Sequence, residues 1–246
     1  MKKETLIAIG FSALLMSCNA PKQEKVDVSP EKEITGLVQE VLTKEQQDAL
    51  TADAVITSFK EGNERFINND LTARDHSAQV RNSTMSQYPK AIVLSCVDSR
   101  VPVEDVFDRG IGDIFVARVA GNFVNEDILG SMEFACKLAG TKVVVVLGHT
   151  ACGAVKGACD DAKLGNLTAL LSKIKPAVAA VTEPTDANLR NSSNIDFVNT
   201  VAEKNVHLTI DNIRTQSPVL KEMEDEGTIK IVGAMYDIKD GSVTFY

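Results

Sequence analysis

The segment KVVVVLGHTACG, residues 142–153, is the clearest indication of the fold class of this chain. Its four valines and Leu147 form a short β-branched run that is apolar throughout, which is typical of a strand covered on both faces. His149 and Cys152 follow this run directly. Because open α/β sheets carry their sites at the carboxyl ends of the strands, the stretch predicts both a buried strand and a site at its end.

Three further apolar runs of this kind lie in the chain, at residues 91–94, 114–117 and 229–234. A helical stretch over residues 127–138 lies between the second and third strands, and further helical stretches separate the third from the fourth. The alternation indicates an α/β fold with a mainly parallel β-sheet flanked by helices. Asp240 and Gly241 form a hairpin-turn pair, which predicts an antiparallel C-terminal edge strand.

Helical spacing also marks the residues ahead of the first strand. Apolar residues recur from Thr43 to Phe66, which predicts one or two amphipathic helices ending near residues 68–69, with Thr51 or Asp53 as a cap. The polar segment 72–89 is predicted to be a loop with some helix.

The first 42 residues follow a different pattern. Two lysines precede an apolar run over residues 6–16, which is too short to span a bilayer but suits a signal-peptide core. The run ends in LMSC, residues 15–18, which resembles the bacterial lipoprotein signal, where a lipid is attached to the cysteine. We therefore expect a signal peptide at 1–17, a lipidated Cys18 with a flexible stalk at 18–42, and one domain at 43–246. An ordinary secretion signal and a signal anchor are the alternatives.

The expected signal peptide and lipid anchor also predict where the protein is located in the cell. The protein is predicted to be exported and held on a bacterial membrane by its lipid anchor alone, facing the periplasm. The 246 residues are 44% hydrophobic, which suits one domain with a sizeable core. The formal net charge of -8 argues against nucleic acid as a partner, because a phosphate backbone needs a basic face.

A second cysteine follows a predicted strand. Cys96 comes just after the run at 91–94, so it can converge with His149 and Cys152 at the carboxyl ends of two strands. Two thiols and one imidazole form a nitrogen and sulfur set that suits zinc. Three ligands rather than four leave an open position, as catalytic zinc sites do.

Asp98 and Arg100 lie two and four residues beyond Cys96, so in an extended segment all three side chains point the same way. A guanidinium fork can fix the carboxylate as an acceptor for the proton of a zinc-bound hydroxide. A surface salt bridge is the alternative.

Several longer stretches contain these residues: CVDSR at 96–100, RVAGN at 118–122, GHTACGA at 148–154, SPVL at 217–220 and VGAMYD at 232–237. From about residue 54 to residue 246 the chain resembles the β-class carbonic anhydrases, with the plant-type active site. The resemblance implies zinc on Cys96, His149 and Cys152, with Asp98 and Arg100 as the catalytic pair. It also implies reversible hydration of carbon dioxide to bicarbonate and a proton, in a homodimer or a tetramer.

The resemblance extends to substrate contacts. Gln87 lies where plant-type members carry a substrate-binding glutamine that is donated across the dimer interface. Phe115, Ala120 and Phe134 correspond to positions that line the apolar pocket, although plain core packing explains them equally well. The backbone N–H of Gly153 is expected to hold a bicarbonate oxygen.

One departure from the family concerns regulation. Some bacterial members bind bicarbonate at an inhibitory site that includes a tryptophan and an arginine. Arg118 matches the arginine, but Val93 replaces the tryptophan and the chain has no Trp. We therefore expect no regulation through that site, with Asp98 bound to Arg100.

Four cysteines and histidines are left over. Cys136 and Cys159 are expected to be buried apolar residues, with a disulfide between them as the alternative, and His76 and His207 to be surface or packing residues. Two other functions use the same residues: hydrolysis of carbon disulfide or carbonyl sulfide, and a non-catalytic zinc-binding or redox lipoprotein.

Overall fold

A computed structural model describes residues 36–246 of the chain. The expected signal peptide, Cys18 and residues 19–35 of the expected stalk lie outside the described residues. No helix among the described residues is long and apolar enough to cross a membrane.

The predicted sheet is confirmed. It contains β1 (Ala91–Ser95), β2 (Ile114–Arg118), β3 (Val143–His149), β4 (Lys230–Tyr236) and β5 (Val243–Phe245). The spatial order is β2-β1-β3-β4-β5, and the first four strands are parallel. β5 pairs with β4 in the antiparallel direction, as the hairpin-turn pair predicts.

Ten α-helices surround or extend this sheet in the described part of the chain. They are α1 (Lys44–Ala49), α2 (Ala52–Ile67), α3 (His76–Asn82), α4 (Val103–Val106), α5 (Glu126–Glu133), α6 (Gly153–Cys159), α7 (Gly165–Ser172), α8 (Lys175–Ala180), α9 (Ile195–Gln216) and α10 (Pro218–Asp225). The helical stretch predicted to end at residue 138 finishes as a π-helix, Phe134–Leu138. Thr51, rather than Asp53, caps α2 by accepting the N–H of Ala54.

The pleat of β3 shows how the sheet buries both faces. Val144 and Val146 lie in one apolar cluster with Val206 of α9, while Val145 and Leu147 lie in another with Phe59 of α2. Successive side chains of a strand point to opposite faces, so every residue of this strand is buried and an all-apolar run is required.

β2 meets the same expectation only in part, because its residues pack against both clusters but are less deeply buried. Four residues of this strand are half-buried and Arg118 is exposed, although the sequence IFVAR is nearly as apolar as β1. β2 is the edge strand next to β1, so one side of it has no strand neighbour among the described residues. An apolar run therefore does not show whether the residues that cover the strand come from the same chain or from another one.

The described domain begins earlier than residue 43. Val38 donates its N–H to the carbonyl of Ala73 at 3.0 Å, and its own carbonyl accepts the N–H of Asp75 at 3.0 Å. The carbonyl of Glu40 accepts a hydrogen bond from the Gln79 side chain at 3.2 Å. Residues 36–42 thus belong with the domain rather than with a stalk.

Candidate metal centre

The three predicted ligands converge at the carboxyl ends of two neighbouring strands. Cys96 follows β1, His149 is the last residue of β3, and Cys152 is the cap residue before α6. β1 and β3 are paired with Ser95 level with Leu147, so Cys96 and His149 leave the sheet at nearly the same height. Their ligand atoms and that of Cys152 all lie within 4.8 Å of one another, and all three residues are buried.

His149 is prepared to give one nitrogen to an ion. Its Nδ1 lies 2.9 Å from the carbonyl oxygen of Thr150, and because a carbonyl only accepts, Nδ1 carries the proton. Nε2 is therefore the nitrogen with a free lone pair. This atom is buried and has no hydrogen-bond partner among the described residues. A buried acceptor without a partner is costly unless a ligand satisfies it.

The two sulfurs have the separation that tetrahedral zinc requires. Zinc–sulfur bonds of about 2.3 Å at a tetrahedral angle place two thiolates about 3.8 Å apart. The Sγ atoms of Cys96 and Cys152 are 3.9 Å apart, and both cysteines are free. Together with the lone pair of His149, this donor set fits a zinc ion.

Hydrogen bonds decide which thiol ionises first. The pKa of Cys96 lies well below that of a free thiol, first because Cys152 donates to its sulfur and also because the Gly121 N–H does so. The pKa of Cys152 is raised, since its proton is shared with Cys96 and its sulfur is buried. Cys96 is thus the first thiolate that an incoming cation meets.

Asp98 and Arg100 form the predicted pair beside the ligands. Arg100 donates from Nε to Oδ1 at 2.9 Å and from Nη2 to Oδ2 at 2.8 Å, and its backbone N–H also reaches Oδ1 at 3.0 Å. These bonds, led by the guanidinium, hold the pKa of Asp98 well below its usual range. The carboxylate Oδ2 lies 3.9 Å from His149 Nε2. A fixed, ionised acceptor thus faces the space in front of the ligand nitrogen.

Arg118 holds the loop that carries this pair, a role that the sequence did not predict. Its guanidinium donates to the carbonyls of Cys96 at 2.8 Å, Asp98 at 3.0 Å and Val101 at 2.7 Å. The place of Arg118 in the motif RVAGN could have marked it as a functional residue. Its acceptors, however, are backbone atoms about 20 residues away in the chain, and the sequence does not identify them. Val93 is fully buried within β1.

The turn between His149 and Cys152 is held from α9. Ala151 has a positive φ of 54° and donates its N–H to Asn199 Oδ1 at 2.8 Å. Thr150 donates its hydroxyl to Asp237 Oδ1 at 3.1 Å. Neither Asn199 nor Asp237 was predicted to serve the site, although Asp237 lies in the motif VGAMYD.

Gln87 and the aromatic residues lie apart from the ligands within one chain. Gln87 is exposed and precedes β1, whereas Cys96 follows the other end of that strand. Phe115 is level with Ile92, and its ring lies 6.0 Å from the ring of Phe134, which is 52% exposed. Their predicted contact with substrate stays a prediction.

Ala120 and Gly153 lie next to the ligands instead. Ala120 immediately precedes Gly121, whose N–H reaches the Cys96 sulfur at 3.3 Å. Gly153 begins α6 directly after Cys152, so its N–H has no intrahelical acceptor. An added Cβ at Gly153 would meet no atom within 4 Å, so this side of the glycine is open.

The remaining cysteines and histidines lie away from the ligand set. Cys136 is buried and Cys159 half-buried, and the two lie in different apolar clusters without a disulfide to each other or to another described cysteine. Burial raises the pKa of each to about 11. His76 and His207 are exposed, and the ring of His207 packs against Tyr246.

Comparisons with known proteins agree with this site. A family model described as carbonic anhydrase matches residues 91–243. Carbonic anhydrase 2 of Mycobacterium tuberculosis is 33% identical over 193 residues, covering 75% of this chain and 87% of that protein. The carbonic anhydrase of Mycolicibacterium smegmatis is 32% identical over 192 residues, covering 76% and 89%.

Solved structures give the same result for the fold. A β-carbonic anhydrase of the fungal pathogen Aspergillus fumigatus has a TM-score of 0.60 at 27% identity, with 79% of this chain and 89% of that chain covered. A structure from a study of two tetrameric β-carbonic anhydrases of Sordaria macrospora has a TM-score of 0.57 at 23% identity, covering 78% and 91%, and shows a shared fold. This chain therefore belongs to the β-carbonic anhydrase family, enzymes whose general reaction is the hydration of carbon dioxide.

Proposed function

We propose that this protein reversibly hydrates carbon dioxide to bicarbonate and a proton, with one zinc ion on Cys96, His149 and Cys152. The observation that carries the proposal is the buried Nε2 of His149, which has no hydrogen-bond partner within residues 36–246 and lies among two thiols 3.9 Å apart and beside an ionised carboxylate. A bound zinc ion supplies Lewis acidity, which makes a hydroxide nucleophile available near neutral pH.

The residues of the chain then orient the nucleophile and accept its hydrogen bond. Asp98 is ionised and fixed by Arg100, so its Oδ2 is an acceptor for the proton of the nucleophile and directs the oxygen lone pair towards carbon. Because Arg100 donates through two nitrogens, the carboxylate cannot rotate without losing both bonds. The open N–H of Gly153 is a donor for a bicarbonate oxygen on leaving the site.

The test is a substitution that removes the acceptor and spares the ligands. Asp98→Ala is expected to keep one zinc per chain but to lower kcat/KM for carbon dioxide by about 100-fold or more, since a misplaced nucleophile can cost about 100-fold in rate. Asp70→Ala is the matched control, because Asp70 is exposed and its side chain forms no hydrogen bond or ion pair among the described residues. Stopped-flow hydration with a pH indicator and metal analysis give both readouts.

Two results would contradict the proposal. Full activity of Asp98→Ala would remove the pair from the reaction. A fully zinc-loaded wild type that does not hydrate carbon dioxide would shift the assignment to carbonyl sulfide or carbon disulfide hydrolysis, or to a non-catalytic zinc protein.

A second copy of the chain is proposed to complete the site. Within one chain Gln87 lies at the opposite end of β1 from Cys96, so its role in substrate binding requires a partner subunit. The half-exposed edge strand β2 provides apolar surface for such an interface. We expect a dimer or tetramer by light scattering, and Gln87→Ala to lower kcat/KM while Gln39→Ala does not. A monomer with full activity would contradict this.

Export with a lipid on Cys18 is proposed from the sequence alone. Labelled palmitate is expected to enter the full chain expressed in a bacterium, and not its Cys18→Ser variant. An unlabelled, soluble wild-type protein would contradict the anchor.

A further inference from the structure

The turn that donates to the Cys96 sulfur has a definite geometry. Residues 119–122 form a β-turn in which the N–H of Asn122 bonds to the carbonyl of Val119 at 2.9 Å. Gly121 is third in this turn and has a φ of +83°. A glycine with positive φ at the third position marks a type II turn.

The turn type decides where the Gly121 N–H points. Type I and type II turns differ by a flip of the central peptide, which here joins Ala120 to Gly121. In the observed turn the N–H of this peptide lies 3.3 Å from Cys96 Sγ. A flip would turn the N–H away and present the carbonyl of Ala120, which would repel a thiolate.

The next peptide, which joins Gly121 to Asn122, is held by a buried side-chain amide on α9. Asn205 is 3% exposed, and its Nδ2 donates to the carbonyl of Gly121 at 2.8 Å. On the other side, a Cβ added at Gly121 would lie 2.4 Å from Ile174 Cδ1, so the side chain of Ile174 closes that space. The turn is thus held between α9 and the residue that precedes α8.

We propose that Asn205 is a positioning residue, which fixes the turn at residues 119–122 so that the Gly121 N–H donates to the ligand sulfur of Cys96. It touches neither substrate nor metal and acts through Gly121. A hydrogen bond to a ligand sulfur spreads its negative charge and orients its lone pairs, as outer contacts at metal sites commonly do. The inference rests on the proposed role of Cys96 as a zinc ligand.

The experiment observes that hydrogen bond directly. The full chain is labelled with ¹⁵N and loaded with ¹¹³Cd in place of zinc. In the wild type we expect a scalar coupling between the Gly121 amide proton and the cadmium, transmitted through the N–H···S bond. In Asn205→Ala the coupling is expected to vanish, and zinc affinity in chelator competition to fall about 10-fold. Asn205→Ser serves if Asn205→Ala does not fold, because its short hydroxyl cannot reach the same carbonyl.

Asn63→Ala is the control variant. It separates the positioning role of Asn205 from the general effect of removing a buried side-chain amide. Asn63 lies in α2, away from the ligands; it is 6% exposed and donates to the carbonyls of Val106 at 3.2 Å and Gly241 at 2.9 Å. This variant is expected to lose stability while it keeps the coupling and the zinc affinity.

The outcomes distinguish the two proposals. A wild type that binds no metal would overturn both. A wild type that binds metal but shows no Gly121 coupling would overturn the inference alone, as would an Asn205→Ala or Asn205→Ser variant that keeps the coupling and zinc affinity within twofold.

Discussion

Asp108 anchors the segment between α2 and α3 to the end of α4, and its replacement by asparagine tests the energetics of the fold. Its side chain is fully buried. Arg65 and Arg74 each donate to it at 2.5 Å, and Thr72 donates its N–H at 3.1 Å and its hydroxyl at 2.6 Å. Burial alone would raise the pKa of Asp108, but the bonds from Arg74, Thr72 and Arg65 outweigh burial and lower it.

Asp108→Asn keeps the shape of the side chain and removes its charge. The amide offers one acceptor oxygen where the carboxylate offers two, so at least one guanidinium loses its partner. Removing one side of a buried ion pair costs about 3–5 kcal/mol. Arg65 is 35% exposed, so water solvates part of its guanidinium and the cost falls at the low end of this range. We therefore expect the free energy of unfolding to fall by about 3 kcal/mol, measured by urea denaturation at pH 7.

The pH dependence gives an independent check. A folded-state pKa below the ordinary 3.8 means that the carboxylate stabilises the fold fully above that value, and that this contribution is lost as the pH falls through the lower folded-state pKa. The difference between wild type and Asp108→Asn is thus expected to shrink below about pH 4. Asp105→Asn, on the exposed side of α4, is the control and is expected to change stability by less than about 0.5 kcal/mol. A loss below about 1 kcal/mol for Asp108→Asn, or a difference independent of pH, would show that the buried carboxylate does not stabilise the fold in this way.

Three further predictions concern the site and its support. Arg118→Lys keeps the charge but cannot hold three carbonyls with a rigid fork, so kcat/KM is expected to fall about 10- to 100-fold with zinc content unchanged; stopped-flow rates equal to wild type would contradict this. Gly148→Ala is expected to cost about 2 kcal/mol in urea denaturation, because its Cβ would lie 2.6 Å from Val206 Cγ2 and from Met235 Sδ. Gly130→Ala, where a Cβ meets nothing within 4 Å, is its control and should not destabilise the protein. Removal of metal with a chelator is expected to lower the melting temperature, because an ion that binds only the folded state stabilises it; an unchanged melting temperature would argue against a bound ion.

The sheet could be predicted because its core is built from β-branched runs. Val143–His149 is buried at every position, so the sequence itself records coverage of both faces. β2 resembles it in composition and yet is only half-buried at the sheet edge, because apolar character does not show which chain covers the strand. The π-helix at Phe134–Leu138 was also beyond prediction, since it depends on a single hydrogen-bond shift in a stretch of helical composition.

The ligands could be predicted because their chemistry and strand-end positions are local features of the sequence. The residues that orient them could not, because they act on backbone atoms far away in the chain. Asn205 forms a hydrogen bond with Gly121, which lies 84 residues earlier in the chain, and Asn199 forms one with Ala151, which lies 48 residues earlier. The one available signal was a polar side chain at a buried position of α9, where Asn205 lies among Val201 and Val206.

The proposed zinc-dependent reaction is tested most simply by stopped-flow hydration of carbon dioxide, with the purified protein before metal removal, after removal and after addition of zinc. We expect rapid hydration with one zinc per chain, its loss in the metal-free protein and its return with zinc. Hydration that persists without metal, or a fully zinc-loaded protein that does not hydrate carbon dioxide, would contradict the proposed reaction.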